Sequence, residues 1–116
     1  MLVEDDTSAR DVIRRQLEML GWDVVAFASG EDAVRSVADG LRVDLLLADV
    51  HLPGITGVAT AHAVRTLAPR TYVALMSGAA LPPASALPGT FLRKPFTVGL
   101  LSKAIAAAIG STESGG

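Results

Sequence analysis

Short aliphatic runs alternate along the chain with stretches whose apolar residues recur every three or four positions, and polar or glycine-containing breaks separate them. Leu2 and Val3 form a short first strand that runs into Glu4-Asp5-Asp6. Ile13, Leu17 and Leu20 then share one helical face, with Ser8 and Asp11 at capping-box spacing before them and Gly21 as the stop. Residues 24–28 read as a second strand. The helix after it has Ser29 and Asp32 at cap spacing, Ala33, Val34, Val37 and Ala38 facing inward, and Gly40 at its end. Residues 43–48 are almost continuously aliphatic, the pattern of a central strand covered on both faces, and the run stops at Asp49. After the loop His-Leu-Pro-Gly-Ile-Thr-Gly, a third helix is expected over 58–69, a strand over 72–76 and a short strand over 90–92. Thr97 caps a last helix in which Leu100, Leu101, Ala104, Ile105, Ala108 and Ile109 make one apolar stripe.

This alternation predicts βαβ units and a parallel sheet. Between Gly78 and Gly89, prolines at 82, 83 and 88 prevent a long regular helix, so any helix there is expected to be shortened or irregular. From Gly110 the chain turns to Gly, Ser and Thr, the composition of a disordered tail or linker. The expected organisation is one domain over 1–109 and a tail over 110–116, with no internal repeat.

Composition narrows the function classes. Half of the 116 residues are hydrophobic, enough for a single core. A formal charge of −2 argues against a basic nucleic-acid surface and a polybasic membrane patch. The absence of Cys excludes disulfides and thiolate metal sites, and His51 and His62 lack the spacing of a helical metal pair. The longest apolar run is interrupted by Asp44 and Asp49, and the first residues are acidic where a secretory signal is basic. A cytoplasmic protein is expected.

Chemistry collects where the strands end. Glu4, Asp5 and Asp6 follow the first strand, Asp49 the third, Ser77 the fourth and Lys94 the fifth. In an open parallel sheet these carboxyl ends share one edge, where such folds bind ligands. Converging Glu4, Asp5 and Asp49 carboxylates would repel one another without a cation, and an all-oxygen set favours Mg²⁺. A carboxylate is also a nucleophile toward phosphorus, and a metal, an ammonium and a hydroxyl are the groups that neutralise phosphoryl oxygens.

The ordered motifs Val-Glu-Asp-Asp, Leu-Leu-Leu-Ala-Asp-Val-His-Leu-Pro-Gly, Leu-Met-Ser-Gly and Phe-Leu-Arg-Lys-Pro-Phe resemble the receiver domain of bacterial two-component response regulators, from Leu2 to about Ile109. The resemblance implies an α/β fold of (βα)5 flavodoxin-like type, a three-layer sandwich with parallel strand order 2-1-3-4-5. It implies that Asp49 is the phosphoacceptor and that Mg²⁺ is held by Glu4, Asp5, Asp49 and the backbone carbonyl of His51. Ser77 is then the switch hydroxyl, Lys94 the partner of the phosphoryl group, Phe91 the aromatic switch position, and Lys94-Pro95 a cis peptide. The implied donor is a histidine kinase or histidine phosphotransfer domain, and the output goes to an unknown downstream protein or attached domain. The Ser-Gly and Phe-Leu-Arg-Lys-Pro-Phe-Thr pattern is similar to receivers of hybrid sensor kinases.

Each residue has a plainer role to set beside this one. Asp6 reads as a helix cap before a metal ligand. Phe91 is either a moving switch or an ordinary buried strand aromatic. The side chain of His51 reads as a loop residue, that of His62 as helix surface, and Trp22 as partial packing. Three functions compete. The first is a phosphoacceptor signalling domain whose only chemistry is self-catalysed phosphotransfer and slow self-dephosphorylation. The second is a receiver-like interaction module that does not cycle phosphate. The third, an aspartyl-nucleophile phosphohydrolase, lacks the second Asp it would need, since His51 stands two residues after Asp49.

Overall fold

The computed structural model describes residues 1–79 and 89–113. In chain order the elements are β1 (Leu2–Val3), α1 (Thr7–Met19), β2 (Ala26–Phe27), α2 (Gly30–Ala38), β3 (Leu45–Asp49), α3 (Gly57–Leu67), β4 (Tyr72–Ser77), β5 (Thr90–Arg93) and α4 (Val98–Glu113). The five strands form one sheet in the order β2-β1-β3-β4-β5, and every pairing is parallel. The expected α/β fold and strand order are therefore present. The expectation of a shortened fourth helix between Gly78 and Gly89 falls almost wholly on residues 80–88, outside the described residues.

The twofold period of the strands divides the core in two. Val3, Leu46, Ala48, Val73 and Leu75 point to one face, where Ala33 and Val37 of α2 and Ala61 and Val64 of α3 cover them. Leu2, Leu45, Leu47, Ala74 and Met76 point to the other, under Ile13 and Leu17 of α1 and Leu101, Ala104 and Ile105 of α4. Residues 45–48 are buried on both faces, which explains their unbroken aliphatic run. Trp22 packs partly against the α1–α4 side, and His62 lies exposed on α3.

Every helix among the described residues starts on a short oxygen-bearing side chain that accepts from an otherwise unpaired backbone N–H. Ser29 accepts from Asp32 N at 3.2 Å, Thr56 from Ala59 N at 3.1 Å and Thr97 from Leu100 N at 3.1 Å. For α1 the cap is Asp6, the role its sequence position suggested, accepting from Ala9 N at 3.0 Å; Ser8, at capping-box spacing from Asp11, lies inside the first turn. Asp6 wins because its backbone is extended, at φ −78° and ψ 120°, as a capping position requires.

Other boundaries differ for similar local reasons. The second strand is Ala26–Phe27 rather than 24–28, because only Leu2 and Val3 of β1 are there to pair with it. Two residues expected to face inward, Ala38 and Leu100, are exposed, the latter by 50%. Each sits at the edge of its apolar stripe, past the neighbour that does pack, Val37 and Leu101 respectively. The last helix continues through Gly110 to Glu113, so helical structure outlasts the apolar periodicity, and residues 114–116 lie outside the described residues.

One contact ties the fold to Asp49. Gly57 opens α3 directly against the end of β3: a Cβ there would lie 2.0 Å from the Asp49 carbonyl oxygen and 2.9 Å from Val50 Cα. Both are backbone atoms that cannot move aside cheaply. Helix propensity alone would make Gly57→Ala stabilising by about 1 kcal/mol. The close approach predicts the opposite sign, a loss of about 1–3 kcal/mol. Urea denaturation of the variant decides between them.

Candidate functional site

The switch point of the sheet lies between β1 and β3, because the chain leaves β1 toward β2 and returns past it to β3. Crevices at the carboxyl ends of strands flanking such a point are where open parallel sheets bind ligands. Glu4 follows β1 and Asp49 ends β3 at this place. Both are buried, Glu4 to 1% exposure and Asp49 to 5%, while Asp5 beside them is exposed. Carboxylate oxygens of Glu4, Asp5 and Asp49 lie within 4.8 Å of one another.

Lys94 enters from the end of β5. Its Nζ donates to Glu4 Oε1 at 2.5 Å and to Asp49 Oδ2 at 2.5 Å. The other Asp49 oxygen, Oδ1, accepts from the His51 backbone N at 2.8 Å, and Glu4 Oε2 accepts from Asp6 N at 3.3 Å. Burial pushes the Glu4 carboxyl above the usual carboxylate range, and the neighbouring Asp49 charge adds to this; the Lys94 ammonium and the Asp6 N–H only partly offset it. For Lys94, burial acts to lower the ammonium's pKa, but hydrogen bonds to Asp49 and Glu4 outweigh it and hold the group above its ordinary value. Lys94 is thus a firmly charged cation between two buried acids.

The remaining predicted residues are placed less uniformly. Ser77 is fully buried at the end of β4, and its backbone carbonyl accepts from Lys94 N at 2.9 Å. Its hydroxyl, however, is engaged in its own turn, accepting from Ala79 N at 3.0 Å and donating to Ala79 O at 3.4 Å. Phe91 pairs in register with Leu75 and packs, half-buried, on the α2–α3 side of the sheet. The Lys94-Pro95 peptide is cis. The His51 side chain is exposed, while its backbone N–H meets Asp49.

Arg10 is a site neighbour that residue patterns did not suggest. Its Nη1 donates to the backbone carbonyl of Glu4 at 2.9 Å and of Asp5 at 3.4 Å, bracing the acidic turn from the first turns of α1. Only its place one helical turn beyond the Asp6 cap hinted at this. Asp6 itself is spent on capping and stands apart from the carboxylate cluster.

Known proteins resemble this chain in sequence and fold. The sequence profile described as response regulator receiver domain matches residues 1–106. The chain is 37% identical over 65 residues to the transcriptional regulatory protein CpxR of Escherichia coli, covering 56% of this chain and 27% of that protein. It is 34% identical over 76 residues to the luminescence regulatory protein LuxO of Vibrio campbellii, covering 66% of this chain and 17% of that one. The chain thus spans about a quarter or less of these relatives. Among solved structures, a response regulator receiver protein from Sinorhizobium medicae superposes with a TM-score of 0.84 at 26% identity, covering 94% of this chain and 91% of that one. The receiver domain of the sensor histidine kinase PA1611 from Pseudomonas aeruginosa, solved with a magnesium ion coordinated in its active-site cleft, gives 0.81 at 30% identity over 94% of each chain. With the profile matching residues 1–106 and the fold in agreement, this chain belongs to the response regulator receiver domain family.

Proposed function

We propose that the domain accepts a phosphoryl group on Asp49 from a phosphohistidine of a histidine kinase or histidine phosphotransfer domain, with Mg²⁺ held beside it, and that the modified site alters the surface read by a downstream protein or attached domain. The observation that carries this reading is the charge around Asp49. Three carboxylates and one ammonium meet there, formally −3 and +1, which leaves −2 for a divalent cation to neutralise. The donors are all oxygens and one of the three carboxylates is open to solvent, the set that suits a partly hydrated Mg²⁺.

Glu4, Asp5, Asp49 and the carbonyl of His51 would hold the ion. Bound there, Mg²⁺ supplies the positive charge that draws phosphoryl oxygens toward the acid cluster. A carboxylate oxygen of Asp49 bonds to phosphorus as the donor's P–N bond breaks, giving an acyl phosphate, and the released imidazole takes up a proton. Lys94 then pairs with a phosphoryl oxygen in place of its present carboxylate partners. The Ser77 hydroxyl would have to leave Ala79 to reach the same group, with Phe91 following on β5, a rearrangement that needs two states within a few kcal/mol. This is signalling chemistry rather than turnover. The place two residues after Asp49 belongs to His51, whose exposed side chain offers no buried acid for a hydrolase. A cytoplasmic setting fits a kinase donor, and no helix among the described residues is long and apolar enough to cross a membrane.

With acetyl phosphate and Mg²⁺, mass spectrometry is expected to show one base-labile phosphoryl group per chain. Asp49→Asn should fold normally and gain none; stoichiometric uptake by that variant would place the acceptor elsewhere. The counter-charge is tested separately. Lys94→Ala leaves Glu4 and Asp49 buried without their cation, so the metal-free variant should lose about 3 kcal/mol in urea melts. Mg²⁺ should return part of that loss, and the double variant with Asp49→Asn should be clearly more stable than Lys94→Ala alone.

A further inference from the structure

The loop that follows Asp49 is held from outside the acid cluster. Glu31 sits in the first turn of α2, and its Oε2 accepts from the backbone N of Ile55 at 3.2 Å. It is a single solvent-exposed hydrogen bond between a side chain of α2 and the loop backbone. The contact is close on both sides. Gly54 has φ +77°, and a Cβ there would fall 2.1 Å from the same Glu31 oxygen. A Cβ on Gly30 would fall 2.0 Å from Thr60 Oγ1 and 2.7 Å from Ile55 Cγ1. The Glu31 carboxylate and the Ile55 side chain therefore occupy the space that a Cβ at Gly54 or Gly30 would need. At its other end the same short loop carries the His51 N–H that bonds Asp49 Oδ1 at 2.8 Å.

We propose that Glu31 is a positioning residue for the Asp49 site: by anchoring the loop at Ile55 it fixes where the amide and carbonyl of His51 stand relative to the Asp49 carboxylate. The inference rests on the reading of this cluster as a Mg²⁺-assisted phosphoacceptor. Nothing in the sequence pattern marks the role, since Glu31 and Ile55 are 24 residues apart and belong to different elements. Glu31 touches neither the carboxylate cluster nor Lys94 through any bond among the described residues, so its effect passes through the loop backbone.

The test uses the full chain with two substitutions, Glu31→Ala and Glu31→Gln. Glutamine removes the charge but keeps an acceptor oxygen for the Ile55 N–H. Calorimetric titration with Mg²⁺ alone should show Glu31→Ala binding about two- to tenfold more weakly than wild type, the range expected for one lost hydrogen bond. Glu31→Gln should recover most of that affinity. In the metal-free protein, hydrogen exchange at the His51 and Leu52 amides should speed up in Glu31→Ala and return toward wild type in Glu31→Gln. If Glu31→Gln binds Mg²⁺ as weakly as Glu31→Ala, the effect is one of charge and the proposal is wrong. Faster exchange confined to Ile55 would also overturn it, by showing that the bond does not reach His51. A wild-type chain that binds no Mg²⁺ would instead overturn the proposed function, and exchange at His51 would then decide the role of Glu31 by itself.

Discussion

Two carboxylates are buried side by side at the ends of the two central strands, and the rest of the site is arranged around what that requires. Taking one charge out of water is costly, and taking two of like sign together is worse. Glu4 responds with a raised pKa, and the pair as a whole is made tolerable by the ammonium of Lys94 at 2.5 Å from each acid. Lys94 stands 90 residues from Glu4 and 45 from Asp49 along the chain. Only the sheet brings them together. β4 must pair with β3 on one side and β5 on the other before the Ser77 carbonyl can receive the Lys94 N–H and aim the side chain back across the crevice.

The two faces of the sheet serve the site unequally. The α1–α4 side supplies most of the large aliphatic packing, with Leu2, Leu47, Met76 and Leu101 fully buried. On the α2–α3 side, glycines let a neighbouring backbone or side chain approach the main chain closely. Gly57 lies against the Asp49 carbonyl, and Gly30 and Gly54 bring α2 onto the loop after it. Close-packed contacts of this kind transmit displacement because no void absorbs it. The loop that carries His51 is thereby set on a stiff support, while the acids above it keep one open side through the exposed Asp5.

Ser77 links this crevice to the segment beyond β4. Its hydroxyl both accepts from and donates to Ala79, so a pull on Ser77 toward a group on Asp49 would release two hydrogen bonds at that turn. Phe91 sits on the neighbouring strand, opposite Leu75, half-buried and without a polar group to satisfy. Its movement would carry no desolvation penalty for a hydroxyl.

Local residue patterns account for the alternation of strands and helices, the central aliphatic strand, the caps at Asp6, Ser29 and Thr97, and the acids and lysine at strand ends. These follow from local rules: a two-residue or 3.6-residue period, a short oxygen side chain before a helix, and a charged residue where an apolar run stops. The family motifs added the strand order 2-1-3-4-5 and the roles proposed for Asp49 and Lys94. Tertiary structure alone decided the rest. It shortened β2 to the two residues that pair with β1. It turned Leu100 and Ala38 outward at the edges of their stripes. It also recruited Arg10, Gly57 and Glu31 to support the site. All three act on backbone atoms of another segment, Arg10 and Glu31 through side-chain hydrogen bonds and Gly57 through close approach, and those distances exist only once the sheet and its helices have packed.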